Sequence, residues 1–291
     1  MSELFSPTAV RTLLKQYGLR PQKALGQNFI VNPTVCPRIA QDGGARPGVG
    51  ALEIGPGVGV LTRELAKQCE KVVAIELDKG LLPLLGETLG QASNVEIVHG
   101  DALKLDLPAL VHERFQGMPV VVCANLPYYI TTPVLMRLLE CGAPFESITV
   151  MVQKETARRF CAPLPSREAG AVTMSIAYRA TCRVLFEVSR GCFLPPPNVD
   201  STVIKLTPHP QPPVDVADQT MLFAVIRAAF SQRRKTLLNC ISGAFELPKT
   251  EVSELLQSVG VDPMARGEQL DLAAIARIAN TLTQKGTAPQ V

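Results

Sequence analysis

The sequence predicts an α/β protein: a mostly parallel sheet with crossover helices, followed by a smaller all-α domain. Three observations lead there. Between Ala51 and about Thr149, short apolar runs alternate with amphipathic stretches, as strands joined by crossover helices do. A glycine-rich stretch follows the first of these runs, where backbone can approach a ligand closely. Beyond the Pro-rich segment Thr207–Pro213, only helical periodicity remains.

The elements follow in order. A helix is expected around Thr8 to Tyr17, then a polar loop to about residue 35. Ala51–Ile54, Val72–Glu76, Val95–Val98 and Val120–Ala124 read as the first four strands, and Ile148–Val152 as a fifth. Ala171–Ala180 and Val203–Leu206 fit antiparallel strands near one sheet edge. Four prolines in Thr207–Pro213 remove ladder donors and fix φ, so neither strand nor helix continues there. The domains are therefore set at 1–207 and 208–291. Met221–Ser242, Thr250–Val259 and Leu272–Leu282 form the helical domain, and a frayed tail ends at Ala288–Val291.

Composition narrows the class. With 291 residues and 46% hydrophobic content, the chain can bury one large core and a satellite. No window approaches the roughly 18 apolar residues of a membrane span, and Met1–Arg20 lacks a signal peptide's apolar core. A soluble, cytoplasmic protein is expected. Its eight cysteines (Cys36, Cys69, Cys123, Cys141, Cys161, Cys182, Cys192, Cys240) form no C-x-x-C pair and accompany only three histidines. Neither zinc nor a disulfide framework is expected, and no metal is assigned. The net charge of +3 names no partner; basic surface must come from local clustering.

Asn125-Leu126-Pro127-Tyr128 closes the fourth apolar run, at the sheet edge where open α/β folds place their chemistry. Its residue types suit methyl transfer to the exocyclic amine of a planar base. The Asn125 side-chain oxygen and the Leu126 carbonyl are acceptors that can hold the two amine hydrogens. Pro127 forces an extended turn, and Tyr128 offers a face for stacking. Upstream, Glu53-Ile54-Gly55-Pro56-Gly57-Val58-Gly59 leads into a helical stretch whose N-terminus adds a positive end. About twenty residues on, Glu76 ends the second strand, where an acid can accept both hydroxyls of a ribose. Dehydrogenases share that pair, but Gly55, Gly57 and Gly59 alternate instead of keeping the G-x-G-x-x-G spacing. Asp101, after the third strand, offers a carboxylate for an adenine amine. The three together make the S-adenosylmethionine pattern.

Gln27-Asn28-Phe29-Ile30-Val31, the glycine loop, Asp101, Asn125–Tyr128 and Phe193–Ser201 stand in one order. In these the chain resembles the ribosomal RNA adenine N6,N6-dimethyltransferases, most closely the bacterial small-subunit branch, from Leu25 to Leu270. The resemblance implies a Rossmann-like methyltransferase domain, a C-terminal helical RNA-binding domain and S-adenosylmethionine as donor. It implies dimethylation of two adjacent adenosines in the 3′-terminal hairpin loop of 16S rRNA in the 30S subunit, with a role in subunit biogenesis. Donor contacts then fall on Asn28, Ile30, Gly55, Gly57, Glu76, Asp101, Ala102 and Asn125. The target adenine would lie between Tyr128 and Phe193. Two departures stand out: Ala169-Gly170 where the family often has Tyr-Gly, and Ile30 for a more usual Leu.

Three basic clusters are candidates for RNA: Arg233-Arg234-Lys235 on an expected helix, Lys154 with Arg158 and Arg159, and Arg11, Lys15, Arg20 and Lys23. The protein is expected to act as a monomer. Rival readings are a 23S rRNA dimethyltransferase of the macrolide-resistance type, a DNA adenine methyltransferase, a non-catalytic ribosome-assembly factor and a nicotinamide-dependent dehydrogenase.

Overall fold

The structure is a computed structural model that describes residues 5–22 and 26–288. Lys23 of the third basic cluster, Leu25 of the family motif, Met1–Leu4 and the tail from Pro289 lie outside the described residues. Contacts divide the chain into two units, Met1–Ala157 with Arg183–Pro208, and Arg158–Cys182 with His209–Val291.

The first unit opens with α1 (Pro7–Gln16), whose start is set by Ser6 accepting a hydrogen bond from the Ala9 amide and by Pro7 in the first turn. Val10 and Leu14, four residues apart, bury the inner face of α1. There follow β1 (Phe29–Ile30), α2 (Val35–Gly43), β2 (Gly50–Ile54), α3 (Val60–Ala66), β3 (Lys71–Glu76), α4 (Leu81–Leu89) and β4 (Val95–His99). Next come α5 (Leu107–Phe115), β5 (Val120–Asn125), α6 (Thr131–Glu140), β6 (Phe145–Gln153) and α7 (Lys154–Phe160). After α8 (Ala171–Arg179) in the second unit, the chain returns through β7 (Ala180–Val188), β8 (Phe193–Leu194) and β9 (Ser201–Pro208).

Seven strands form one sheet in the order β4-β3-β2-β5-β6-β9-β7, and β1 pairs antiparallel with β8 beside it. The five strands from β4 to β6 are mutually parallel, whereas β9 runs antiparallel to β6. All five residues of β2 are buried, as are Val120–Ala124 of β5, so β5 reads as an unbroken apolar run and β2 as one interrupted by Glu53. Sequence progresses outward from β2 toward β4 on one side and from β5 toward β6 on the other. The switch point thus lies between β2 and β5, with Ile54 level with Ala124. That register sets the glycine loop beside the Asn125 turn.

The second unit adds α9 (Gln219–Ala229), α10 (Leu237–Phe245), α11 (Lys249–Ser258) and α12 (Leu272–Gln284). Met221, Val225, Leu256, Ile275 and Ile278 are among its core residues. Gly267 lets its backbone rest on the end of α9: a Cβ there would come within 2.4 Å of the Ala229 carbonyl oxygen.

Three expectations need correction. Ala171–Ala180 is a helix over most of its length, not a strand. Its apolar residues alternate, but Met174 and Tyr178 lie one turn apart and insert together into the helical core. The Thr173 hydroxyl also ties the first turn down, accepting from the Gly170 amide (2.9 Å) and donating to the Arg159 carbonyl (2.7 Å). Because of that insertion, Arg158–Cys182 belongs to the second unit, although the division at 207/208 placed it in the first. The third correction is the helix expected over Met221–Ser242, which breaks at Phe230–Thr236. There Thr236 caps a new helix by accepting from the Asn239 amide. Arg233, Arg234 and Lys235 consequently sit on a turn.

Candidate active site

The carboxyl ends of β2, β3, β4 and β5 converge on one pocket, open to solvent at its mouth. Asn28, Ile30, Gly55, Gly57, Glu76, Asp101, Ala102 and Asn125 all line it, together with Leu126, Pro127 and Tyr128. Stretches far apart in the chain are thereby brought to one place.

The glycine loop is left-handed at each alternate position: φ is +73° at Gly55, +61° at Gly57 and +87° at Gly59. Only glycine adopts such a series without strain. At Gly57 a Cβ would also meet the Phe29 ring at 3.2 Å, so the loop backbone lies against β1 with no side chain in between. Glu76 is nearly buried; one carboxylate oxygen accepts from the Asp78 amide (2.8 Å) and the other, loosely, from Gly57 (3.4 Å). Burial raises its carboxyl above the usual range, with these amides pulling back. Asp101 holds its own loop by accepting from the Leu103 amide (3.0 Å) and faces Lys104 at 3.8 Å.

Glu53, to which the sequence pattern assigns no role, lines the same pocket from inside β2 and is 1% exposed. Burial pushes its carboxyl up to about 8; the nearby Thr62 hydroxyl lowers it somewhat and Glu76 raises it further. Its Oε2 has no hydrogen-bond partner, consistent with a neutral acid. The available signal is an acid inside an otherwise apolar strand. Leu77 likewise escapes a reading by sequence. It is 47% exposed and follows Glu76, giving the pocket an apolar wall.

Across the switch point, Asn125 donates through Nδ2 to the Asn28 carbonyl (3.1 Å), and Asn28 donates to the Gly26 carbonyl (3.0 Å). The amide nitrogen of Asn125 is thus committed, which leaves its Oδ1 as the acceptor at the pocket wall. The Pro127 carbonyl accepts from the Ile130 amide and the Thr131 hydroxyl, fixing the turn onto α6. Tyr128 is anchored at its phenol, 2.7 Å from the Ser201 hydroxyl at the start of β9, and burial raises the phenol's pKa. Tyr129, 57% exposed, adds to Tyr128 and Phe29 a further aromatic at the pocket that the sequence pattern did not single out. Phe193 is not brought into the pocket. It pairs with Ile30 across β8 and β1, and its ring is 4% exposed in the core. Ile30, equally buried, does line the pocket.

The basic clusters differ in how free they are. Arg233 donates to the Arg167 carbonyl (3.0 Å) and lies 3.6 Å from Glu268, while Arg234 and Lys235 are exposed. Lys154 is paired with Glu187 at 2.7 Å. Arg11 and Lys15 are exposed on α1, and Arg20 is exposed after it. Among the described residues, no three His, Cys, Asp or Glu side chains gather as a metal site, and no helix is long and apolar enough to cross a membrane.

The profile of one family, ribosomal RNA adenine dimethylase, matches residues 18–284. The chain belongs to the ribosomal RNA adenine dimethylase family. It is 43% identical over 286 residues to ribosomal RNA small subunit methyltransferase A of Geobacillus thermodenitrificans, covering 96% of this chain and 97% of that one. The protein of the same name in Oceanobacillus iheyensis is 42% identical over 282 residues, covering 96% of each chain. Two solved structures share the fold. A dimethyladenosine transferase from Plasmodium falciparum superposes with a TM-score of 0.74 at 24% identity over 89% of this chain and 98% of that one. The 23S rRNA methyltransferase ErmE gives 0.68 at 26% identity, over 88% of this chain and all of that one. Membership of the dimethylase family makes this chain a ribosomal RNA methyltransferase, and the expected α/β architecture with a mostly parallel sheet is what the structure has.

Proposed function

We propose that this enzyme dimethylates N6 of two adjacent adenosines in the 3′-terminal hairpin loop of 16S rRNA, acting as a cytoplasmic monomer on the 30S subunit. The observation that carries the chemistry is the Asn125–Asn28 hydrogen bond. It presents an uncommitted amide oxygen at the pocket wall, beside the aromatic face of Tyr128. The small-subunit substrate is supported by the relatives at 42–43% identity along nearly the whole chain, against 26% for the 23S enzyme.

The donor is S-adenosylmethionine, which when bound supplies a sulfonium methyl group. The residues fit it. The Gly55–Gly59 loop offers backbone at the pocket wall, Glu76 would accept from two ribose hydroxyls, and Asp101 with the Ala102 amide would meet the adenine edge. Asn28 and Ile30 complete that wall, with Leu77 against the ring.

On the acceptor side, the Asn125 oxygen and the Leu126 carbonyl hold the two amine hydrogens and orient the nitrogen lone pair. As nitrogen gains positive charge, the same two acceptors stabilise it. The surplus proton is then acidic enough to leave to water, so no side chain is assigned as general base. Tyr128 stacks on the unstacked base, and a loop adenosine costs less to extrude than a paired one. Phe193 would have to turn out of the core to complete the clamp. Arg234 and Lys235, with Arg233, supply phosphate contacts.

Transfer of tritiated methyl groups to under-methylated 30S and, separately, 50S particles tests this reading, with nuclease digestion to identify N6,N6-dimethyladenosine. Label confined to 50S would favour a 23S enzyme. Binding without transfer would favour an assembly factor.

A further inference from the structure

Cys161 and Cys182 lie in the second unit, the one directly after α7 and the other the third residue of β7. They are 21 positions apart in sequence, yet their sulfur atoms are 2.7 Å apart. That is closer than unbonded sulfurs pack and not far beyond a covalent bond of roughly 2.05 Å. Both side chains are partly exposed, whereas Cys36, Cys69, Cys123 and Cys240 are buried. The pair also brackets a particular piece of chain. Arg158–Cys182 leaves the first unit, contributes α8 to the helical core and returns, and the two cysteines stand near its two ends.

We propose that Cys161 and Cys182 form a reversible dithiol–disulfide site whose oxidant is a low-molecular-weight disulfide. The reaction balances in two exchanges. The Cys161 thiolate attacks one sulfur of the small disulfide, breaking its S–S bond and releasing a thiolate that takes up the proton lost by Cys161. The Cys182 thiolate then attacks Cys161 in the mixed disulfide and expels the second small thiolate, which takes the Cys182 proton. The protein loses two electrons and two protons, and the oxidant becomes two thiols.

Interaction between the two side chains lowers the Cys161 thiol and raises Cys182, which burial raises further. Those directions favour Cys161 as the attacking sulfur and Cys182 as the resolving one. Closing this ring joins the two ends of the inserted segment and restricts the unfolded second unit, so oxidation stabilises it.

The test treats the full-length protein with oxidised glutathione, blocks free thiols and maps peptides by mass spectrometry without reduction. The expected product is a Cys161–Cys182 cross-link that dithiothreitol reverses, with a melting temperature raised on the order of 5 °C. In Cys182→Ser, the mixed disulfide should accumulate on Cys161. Should the serine variant not fold, the wild-type peptide map decides alone. Recovery of both wild-type residues as free thiols, or as stable glutathione adducts, would overturn the proposal.

Discussion

Replacing Glu53 by Gln removes a buried ionisable group while keeping its shape, and its effect must depend on pH. The carboxyl is held near about 8 in the folded protein, against 4.5 for an ordinary glutamate. A carboxyl raised in this way stabilises the fold below about pH 4.5, where both states are protonated. That advantage is lost as pH rises toward about 8, because the unfolded chain ionises freely and the folded one does not. Between about pH 5 and about pH 8 the wild type should lose about 3 to 4 kcal/mol relative to Glu53→Gln, since holding a proton against a tenfold fall in its activity costs about 1.36 kcal/mol. Urea denaturation of both proteins at roughly pH 5, 6.5 and 8 gives that difference directly, and every group common to both cancels. Glu53→Gln should be the more stable protein at the alkaline end. Parallel stability curves across this range would refute the reasoning, since they would mean that Glu53 is already ionised in the fold and is solvated or paired.

Four further outcomes are expected. Glu76→Ala should weaken S-adenosylmethionine binding by about 1.5–3 kcal/mol, the usual scale for hydrogen bonds to a charged group; wild-type affinity by calorimetry would remove Glu76 from the donor site. Asn125→Ala should keep its fold and its 30S affinity, which phosphate contacts dominate. Its single-turnover methyl transfer at saturating donor should nevertheless fall by on the order of a hundredfold, and a near-normal rate would make the turn merely structural. Tyr128→Phe loses only the bond to Ser201, about 1 kcal/mol, and should retain transfer within roughly tenfold, while Tyr128→Ala should lose far more; equal losses would make the hydroxyl the functional part. Arg233→Glu combined with Arg234→Glu should reduce the salt slope of 30S binding by roughly 1.5 to 2 and leave donor affinity unchanged. An unaltered slope would show that neither residue contacts phosphate.

What the sequence determined by itself was local or one-dimensional. The runs at Ala51–Ile54, Val72–Glu76 and Val120–Ala124 are strands covered on both faces of a parallel sheet, and their burial leaves them almost wholly apolar, whereas Val95–Val98, half-buried at the sheet edge, is a short apolar run around Glu96. Gly55, Gly57 and Gly59 announced a close-approach loop because no other residue accepts that backbone. Asn125–Tyr128 stood out because its acceptors, proline and aromatic ring are adjacent in the chain. The tertiary structure decided what depends on partners distant in sequence. Alternating residues at Ala171–Ala180 suit a strand until a helical core claims Met174 and Tyr178. The resemblance sets Phe193 beside the target adenine, but pairing of β8 with β1 turns its ring into the core. Which end of the Asn125 amide faces the pocket is fixed by the carbonyl of Asn28, 97 positions away. Cys161 and Cys182 form no C-x-x-C pair, and only the fold brings their sulfurs together. Periodicity and spacing record what a residue needs from its neighbours in the chain; burial, register and hydrogen-bond direction arise only when distant segments meet.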